Sequence, residues 1–224
     1  MKRNLGVCMC RLTVGLVLVG LAAGCATSRT AGLNTAMNHV ATIERIANNR
    51  HLYNLTDYQG VAVVSMGKLG AVGFGAMGWS SSVYVRDPAS NAFGPPSFVN
   101  AGGASAGIAY GGLNVVNCLL LFRNREDAIR FAERSATANF SNEASLLVWG
   151  RKQMTVPGAI SFSDGAGLCV GAVELELLLG GPRDDLHANL YEPGATVQKI
   201  LLGDVAIPAE LKATLARLNL LMQR

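Results

Sequence analysis

The sequence predicts an α+β protein: a curved, Gly-rich antiparallel sheet flanked by N- and C-terminal helices, in a single domain. Three observations carry this expectation. Apolar residues recur at helical spacing near both ends of the chain. Between them lie apolar runs of strand length, punctuated by turn residues. Glycine is concentrated inside those runs: 12 of the 26 glycines fall between Gly60 and Gly112. Glycine within a strand marks a bend, a bulge or a close backbone approach, so the sheet is expected to curve.

The first 24 residues read as a secretory leader. Lys2, Arg3 and Arg11 make its basic start, and Leu12 to Gly24 is uncharged and mostly apolar. Thirteen residues are too few to cross a bilayer, which takes about 20. The leader closes on Leu21-Ala22-Ala23-Gly24-Cys25, which resembles a bacterial lipobox. That resemblance implies cleavage before Cys25 and a diacylglycerol on its sulfur, with the new amino terminus acylated as well. Several acyl chains anchor a protein stably where one binds only reversibly. Ala26, rather than an Asp, resembles the sorting pattern of outer-membrane lipoproteins facing the periplasm.

Removing the leader changes the charge argument. It holds three of the 19 basic residues and none of the 15 acidic ones, which leaves a net charge near +1. No global basic field remains to attract nucleic acid. Cys8 and Cys10 leave with the leader, so Cys118 and Cys169 are the remaining thiols beside Cys25. They either pair in an oxidising envelope or stay as two separate buried thiols.

Residues 25–32 are expected to form a lipidated polar tether, and the folded body to run from 33 to 224. From Leu33, the residues Ala36, Met37, Val40, Ile43 and Ala47 share one helical face. The helix is expected to pack on the domain, because an interfacial helix would carry bulkier apolar residues and more Lys or Arg. Val61 to Val64 reads as a short buried strand. Leu69 to Trp79 is Gly-rich and apolar, and Ser82 to Arg86 alternates. Asp87-Pro88 and Gly94-Pro95-Pro96 mark a loop.

Phe98 to Gly112 reads as a strand with one nearly bare face, and Leu113 to Phe122 as a buried strand. Asn124 is placed to open a helix, with Glu126 and Asp127 at the end that prefers negative charge. Ala144 to Trp149 is a further strand candidate. Ala159 to Asp164 and Leu168 to Leu179 read as a strand pair around Gly165-Ala166-Gly167. Thr196 to Leu202 and Pro208 to Arg224 are expected helices.

No convincing catalytic set emerges. Gly73 to Gly78 fits GxGxxG, but strand-like residues follow it and no acidic residue stands near Pro96-Ser97-Phe98-Val99 to hold a ribose. His39, His51 and His187 are the imidazoles, and no serine sits in a nucleophile elbow. Asp184-Asp185-Leu186-His187 reads as a solvated polar turn rather than a metal site. No Cys/His cluster has zinc spacing. No cofactor and no enzymatic activity are expected.

An ordered series of segments resembles the SYLF domain. It begins with Gly60-Val61-Ala62-Val63-Val64, Gly73-Phe74-Gly75 and Val83-Tyr84-Val85-Arg86-Asp87. Pro96-Ser97-Phe98-Val99 then leads into the run Gly102 to Gly111. Ser161 to Gly171, Arg183 to Tyr191 and Ile200-Leu201-Leu202-Gly203 complete it, so the likeness covers about residues 33–221. Asn117 stands where the family usually carries an acidic residue.

The resemblance implies a non-catalytic domain that binds phosphoinositides or other phospholipids, in an outer-membrane-anchored lipoprotein. Within that reading Arg86 and Arg183 are the expected phosphate contacts, and Trp79, Phe93 and Phe98 the expected apolar lining. The alternative is an envelope structural or protein-interaction lipoprotein without specific lipid affinity.

Overall fold

The computed structural model describes residues 28–71, 74–110, 112–133, 136–141, 156–167 and 170–224. The expected strand at Ala144 to Trp149, the leader, Cys25 and Cys169 lie outside these residues.

The elements in chain order are helix α1 (Arg29–Asn49), a 3-10 turn (Leu55–Asp57) and strands β1 (Gly60–Ala71), β2 (Phe74–Val85), β3 (Ser97–Tyr110) and β4 (Gly112–Phe122). Helix α2 (Arg125–Glu133), β5 (Ala136–Ser141), β6 (Ala159–Gly167) and β7 (Val170–Pro182) follow. Helices α3 (Asp184–Leu190), α4 (Val197–Leu202) and α5 (Ala209–Leu221) complete the body. The seven strands form one antiparallel sheet in the order β5-β7-β3-β2-β1-β4-β6. The α+β class with helices on both terminal sides is as expected.

Helix α1 opens at Arg29, inside the span expected as tether. Ser28 caps it by accepting the Ala31 amide at 3.2 Å. Gly32 is accommodated in this first turn by close packing: a Cβ there would meet Leu190 at 3.3 Å. Thr196 caps α4 in the same way through the Lys199 amide, and Gly203 ends it in the left-handed conformation at φ 87°. The expected polar turn at Asp184–His187 is instead the body of helix α3, and His187 within it is fully buried.

The sheet is covered on both faces along the half where β1 begins. Val61, Val63, Tyr84, Leu119 and Leu121 pack under α1 and α5. Ala62, Val64, Val83, Leu120 and Phe122 pack under α2 and α4. Burial of both faces explains why the strand at Val61 to Val64 is a continuous apolar run rather than an alternating one. Gly60 is required there, because an added Cβ would sit inside the van der Waals radius of Ala128 in α2.

The expected pairing of the last two strands is corrected. β6 pairs with β4, and β7 with β3 and β5, so the two lie on opposite sides of the sheet centre. In a flat sheet they would stand about 24 Å apart, five strand spacings. Yet Gly167 and Val170 are three peptide units apart, about 11 Å at most. Tyr110 and Gly112 are likewise within about 8 Å of one another, although β2 and β1 separate their strands.

Both constraints are met if the sheet rolls about the tip of the β1–β2 hairpin, where Ala71 pairs with Phe74. β3 runs four residues past its last pair with that hairpin, at Ala106, and shifts register against β7 between Gly107 and Ala109. β6 and β7 then follow the same corner, with Gly167 opposite Asn114 and Val170 opposite Tyr110.

Candidate functional site

The five residues expected to form a lipid site are not brought together. Arg86 is only 3% exposed. Its Nε, Nη1 and Nη2 donate to the carbonyls of Tyr58 (3.3 Å), Asn91 (2.7 Å) and Met222 (3.5 Å). The loop after β2 creates this seat. Asp87 accepts from the Ala89 and Ser90 amides, Asn91 takes the left-handed conformation at φ 55°, and its carbonyl turns back to Arg86. Phe93 lies under the guanidinium, 4.5 Å from ring centroid to Cζ. Arg86 therefore fastens the α5 end to the loop, and has no nitrogen turned outward for a phosphate.

Arg183 is held in a similar way. Its Nε and Nη2 grip the two Asp185 carboxylate oxygens at 2.8 Å each. Those bonds also hold the Asp185 carboxyl below its ordinary range. With the Asn100 amide turned to satisfy both its atoms, Arg183 Nη1 donates to it at 2.6 Å. Both expected phosphate contacts are thus engaged by the protein itself.

The three aromatics separate into three clusters. Trp79 stacks on Phe131 of α2 at 6.1 Å, Phe93 joins the cluster under α1 and α5, and Phe98 packs with Leu186, Leu190 and Leu211. Each fills core rather than a common groove. Cys118 is buried, and the choice between a disulfide with Cys169 and two separate thiols falls on Cys169, outside the described residues.

What the fold does assemble is a polar seam across the sheet. Asp164, Asn117, Ser65, Ser80 and Asn100 stand opposite one another in β6, β4, β1, β2 and β3. Direct cross-strand partners project to the same face, here the face under α1. Helix α1 crosses this row. His39 reaches its centre and Arg45 pairs with Asp164 at its end.

The hydrogen bonds at the centre run in one direction. Ser65 Oγ donates to Asn117 Oδ1 at 2.8 Å, which uses its only proton. His39 Nε2 must then carry hydrogen and donate to Ser65 at 3.3 Å. His39 Nδ1 is left as the acceptor for the Ser82 hydroxyl at 2.7 Å. Burial lowers the His39 pKa to about 4. Such an imidazole is a poor base, and Ser82 beside it is fully buried. The chain of bonds joins a serine to a histidine but orients the imidazole with a second serine rather than a carboxylate, and it offers no exposed nucleophile. Its chemistry is attachment of α1 to the sheet.

His187 makes a second buried attachment. Its Nε2 accepts the Phe98 amide at 2.8 Å, and Nδ1 faces Asp184 Oδ1 at 3.7 Å. Burial lowers its pKa, against the pull of Asp184 and Asp185. Among the described residues, no three His, Cys, Asp or Glu side chains are placed to hold a metal ion, and no helix is long and apolar enough to cross a membrane.

Neither the protein-family models, the curated proteins nor the solved structures contain a match to this chain.

The seam leaves a signal in the sequence. Ser65 continues the alternation of Val61 and Val63, and His39 lies three residues after Ala36 on the apolar stripe of α1. Polar residues on faces that should be buried need partners, and here they partner one another.

Proposed function

We propose that this chain is an outer-membrane lipoprotein, anchored through Cys25, whose SYLF-like body binds phospholipid without catalysing a reaction. The observation that carries the reading is the lipobox Leu21 to Cys25 at the end of a leader too short to span a bilayer. The ordered SYLF-like segments from Gly60 to Gly203 support the lipid affinity. The buried state of Ser82 and the weak basicity of His39 agree with a non-catalytic role. Because Arg86 and Arg183 are engaged within the protein, the phosphate contact falls to other groups.

Two measurements test this. Mass spectrometry of the amino-terminal peptide from membranes should find acylated Cys25. A leaderless body with Cys25→Ser should float with vesicles containing anionic phospholipid. Failure to bind any anionic or zwitterionic vesicle removes the lipid-binding half of the proposal and favours the protein-interaction alternative.

A further inference from the structure

We propose that the body stands on the bilayer by one defined end: the N-terminal ends of α1 and α5, with Ile207 touching the lipid. The inference rests on the acylated Cys25 and adds an orientation to it. Only three peptide units separate Cys25 from Ser28, the cap of α1, so the cap stays within about 11 Å of the acylated residue.

The neighbours of that cap are known. Arg29 donates to the Leu190 carbonyl at 3.0 Å and pairs with Glu210 at 3.1 Å in the first turn of α5. Helices α1 and α5 run parallel, since Arg217 pairs with Glu44 and Arg224 donates to Asn48 further along both. The start of α5 is therefore fixed beside the anchor. Its far end, near Leu220, lies about 15 Å farther along the helix axis.

The chemistry of the two ends differs in the direction a bilayer requires. Ala206-Ile207-Pro208-Ala209 is an uncharged run, and Ile207 in it is 41% exposed. Of the two carboxylates three residues from Ile207, Asp204 and Glu210, the second is paired with Arg29 and so presents less bare negative charge to anionic lipid. Leu220 is more exposed, at 67%, but stands among Asn219, Gln223 and Arg224. An exposed apolar residue held near acyl chains by a short tether gains free energy by entering the interface, to a depth of about 5–10 Å.

The test uses the full lipidated protein in phosphatidylethanolamine–phosphatidylglycerol vesicles. Ile207→Cys and Leu220→Cys, each in a Cys169→Ser background, carry an environment-sensitive fluorophore, and lipids with a quencher at the acyl level report contact. Quenching about threefold stronger at position 207 than at 220 supports the orientation. Equal quenching at both sites, stronger quenching at 220, or none at either overturns it. Mass spectrometry on the same sample separates the two ideas. Acylated, vesicle-bound protein with no preference at 207 refutes the orientation alone, whereas an unacylated Cys25 refutes the anchor and the orientation together.

Discussion

The Ser82 hydroxyl donates to His39 Nδ1 at 2.7 Å, joining the middle of α1 to the centre of the sheet. Because His39 donates its single ring hydrogen, on Nε2, to Ser65, and Ser65 donates its own to Asn117, one buried imidazole organises polar groups from three strands. Replacing it by a residue of similar volume without nitrogen leaves buried hydroxyl groups short of partners. His39→Leu is expected to lower stability by about 2–4 kcal/mol. Urea unfolding followed by circular dichroism measures this, and an unchanged midpoint would show that the seam contributes nothing.

The same residue sets a pH dependence. The folded protein keeps His39 neutral down to about pH 4, whereas the unfolded chain takes up the proton near 6.5. The unfolded state then binds more protons between these values. Stability from this group is full above pH 6.5 and falls as the pH drops towards 4, by about 3 kcal/mol in total. His187, shifted in the same direction, adds to the slope. Melting temperatures from pH 7.5 to 4 should decline in the wild type and less steeply in His39→Leu.

Arg86 provides a test of its structural role. Its three nitrogens serve carbonyls from the turn before β1, the loop after β2 and the end of α5. Arg86→Ala is expected to cost about 3–5 kcal/mol, as the loss of a buried, hydrogen-bonded charge does. Vesicle flotation of the more conservative Arg86→Lys, measured where it remains folded, should match the wild type. A selective loss of lipid binding with no loss of stability would return Arg86 to the ligand site.

Ser81 points the other way. Its hydroxyl is buried and lacks a hydrogen-bond partner, between Val64 and Val99 on the neighbouring strands. Ser81→Ala removes an unsatisfied group at small cost in volume, so stability should rise by about 1 kcal/mol. A clear decrease in the thermal midpoint would reveal a partner, such as a trapped water.

Gly60 tests the contact between sheet and α2. Gly60→Ala brings a methyl group into Ala128, and is expected to destabilise by about 1–3 kcal/mol. Adding Ala128→Gly should recover part of that loss despite the poor helix propensity of glycine. Additive losses in the double variant would place the strain elsewhere.

Local signals were legible where a few neighbouring residues suffice. Thr196 and Gly203 bracket α4, and Pro208 precedes α5, because caps act within one turn of the chain. The strand run Phe74 to Val85 likewise rules out the helix that a dinucleotide-binding GxGxxG would have to open. The helix α3 was missed because Asp184 and Asp185 read as a polar turn, while the burial of His187 depends on Phe98, far away in sequence.

The sequence by itself determined the α+β class, the helices at both ends and most of the strand runs, since periodicity, capping and turn chemistry are properties of short segments. Only the tertiary structure decided that β6 and β7 part to opposite sides of the sheet, and that Arg86 and Arg183 are engaged inside the protein. It also decided that Asp164, Asn117, Ser65, Ser80 and Asn100 align into one seam. These are matters of register and burial between distant segments. A shift of one residue in any strand would turn its seam residue to the opposite face, and no local pattern specifies which distant backbone will stand opposite.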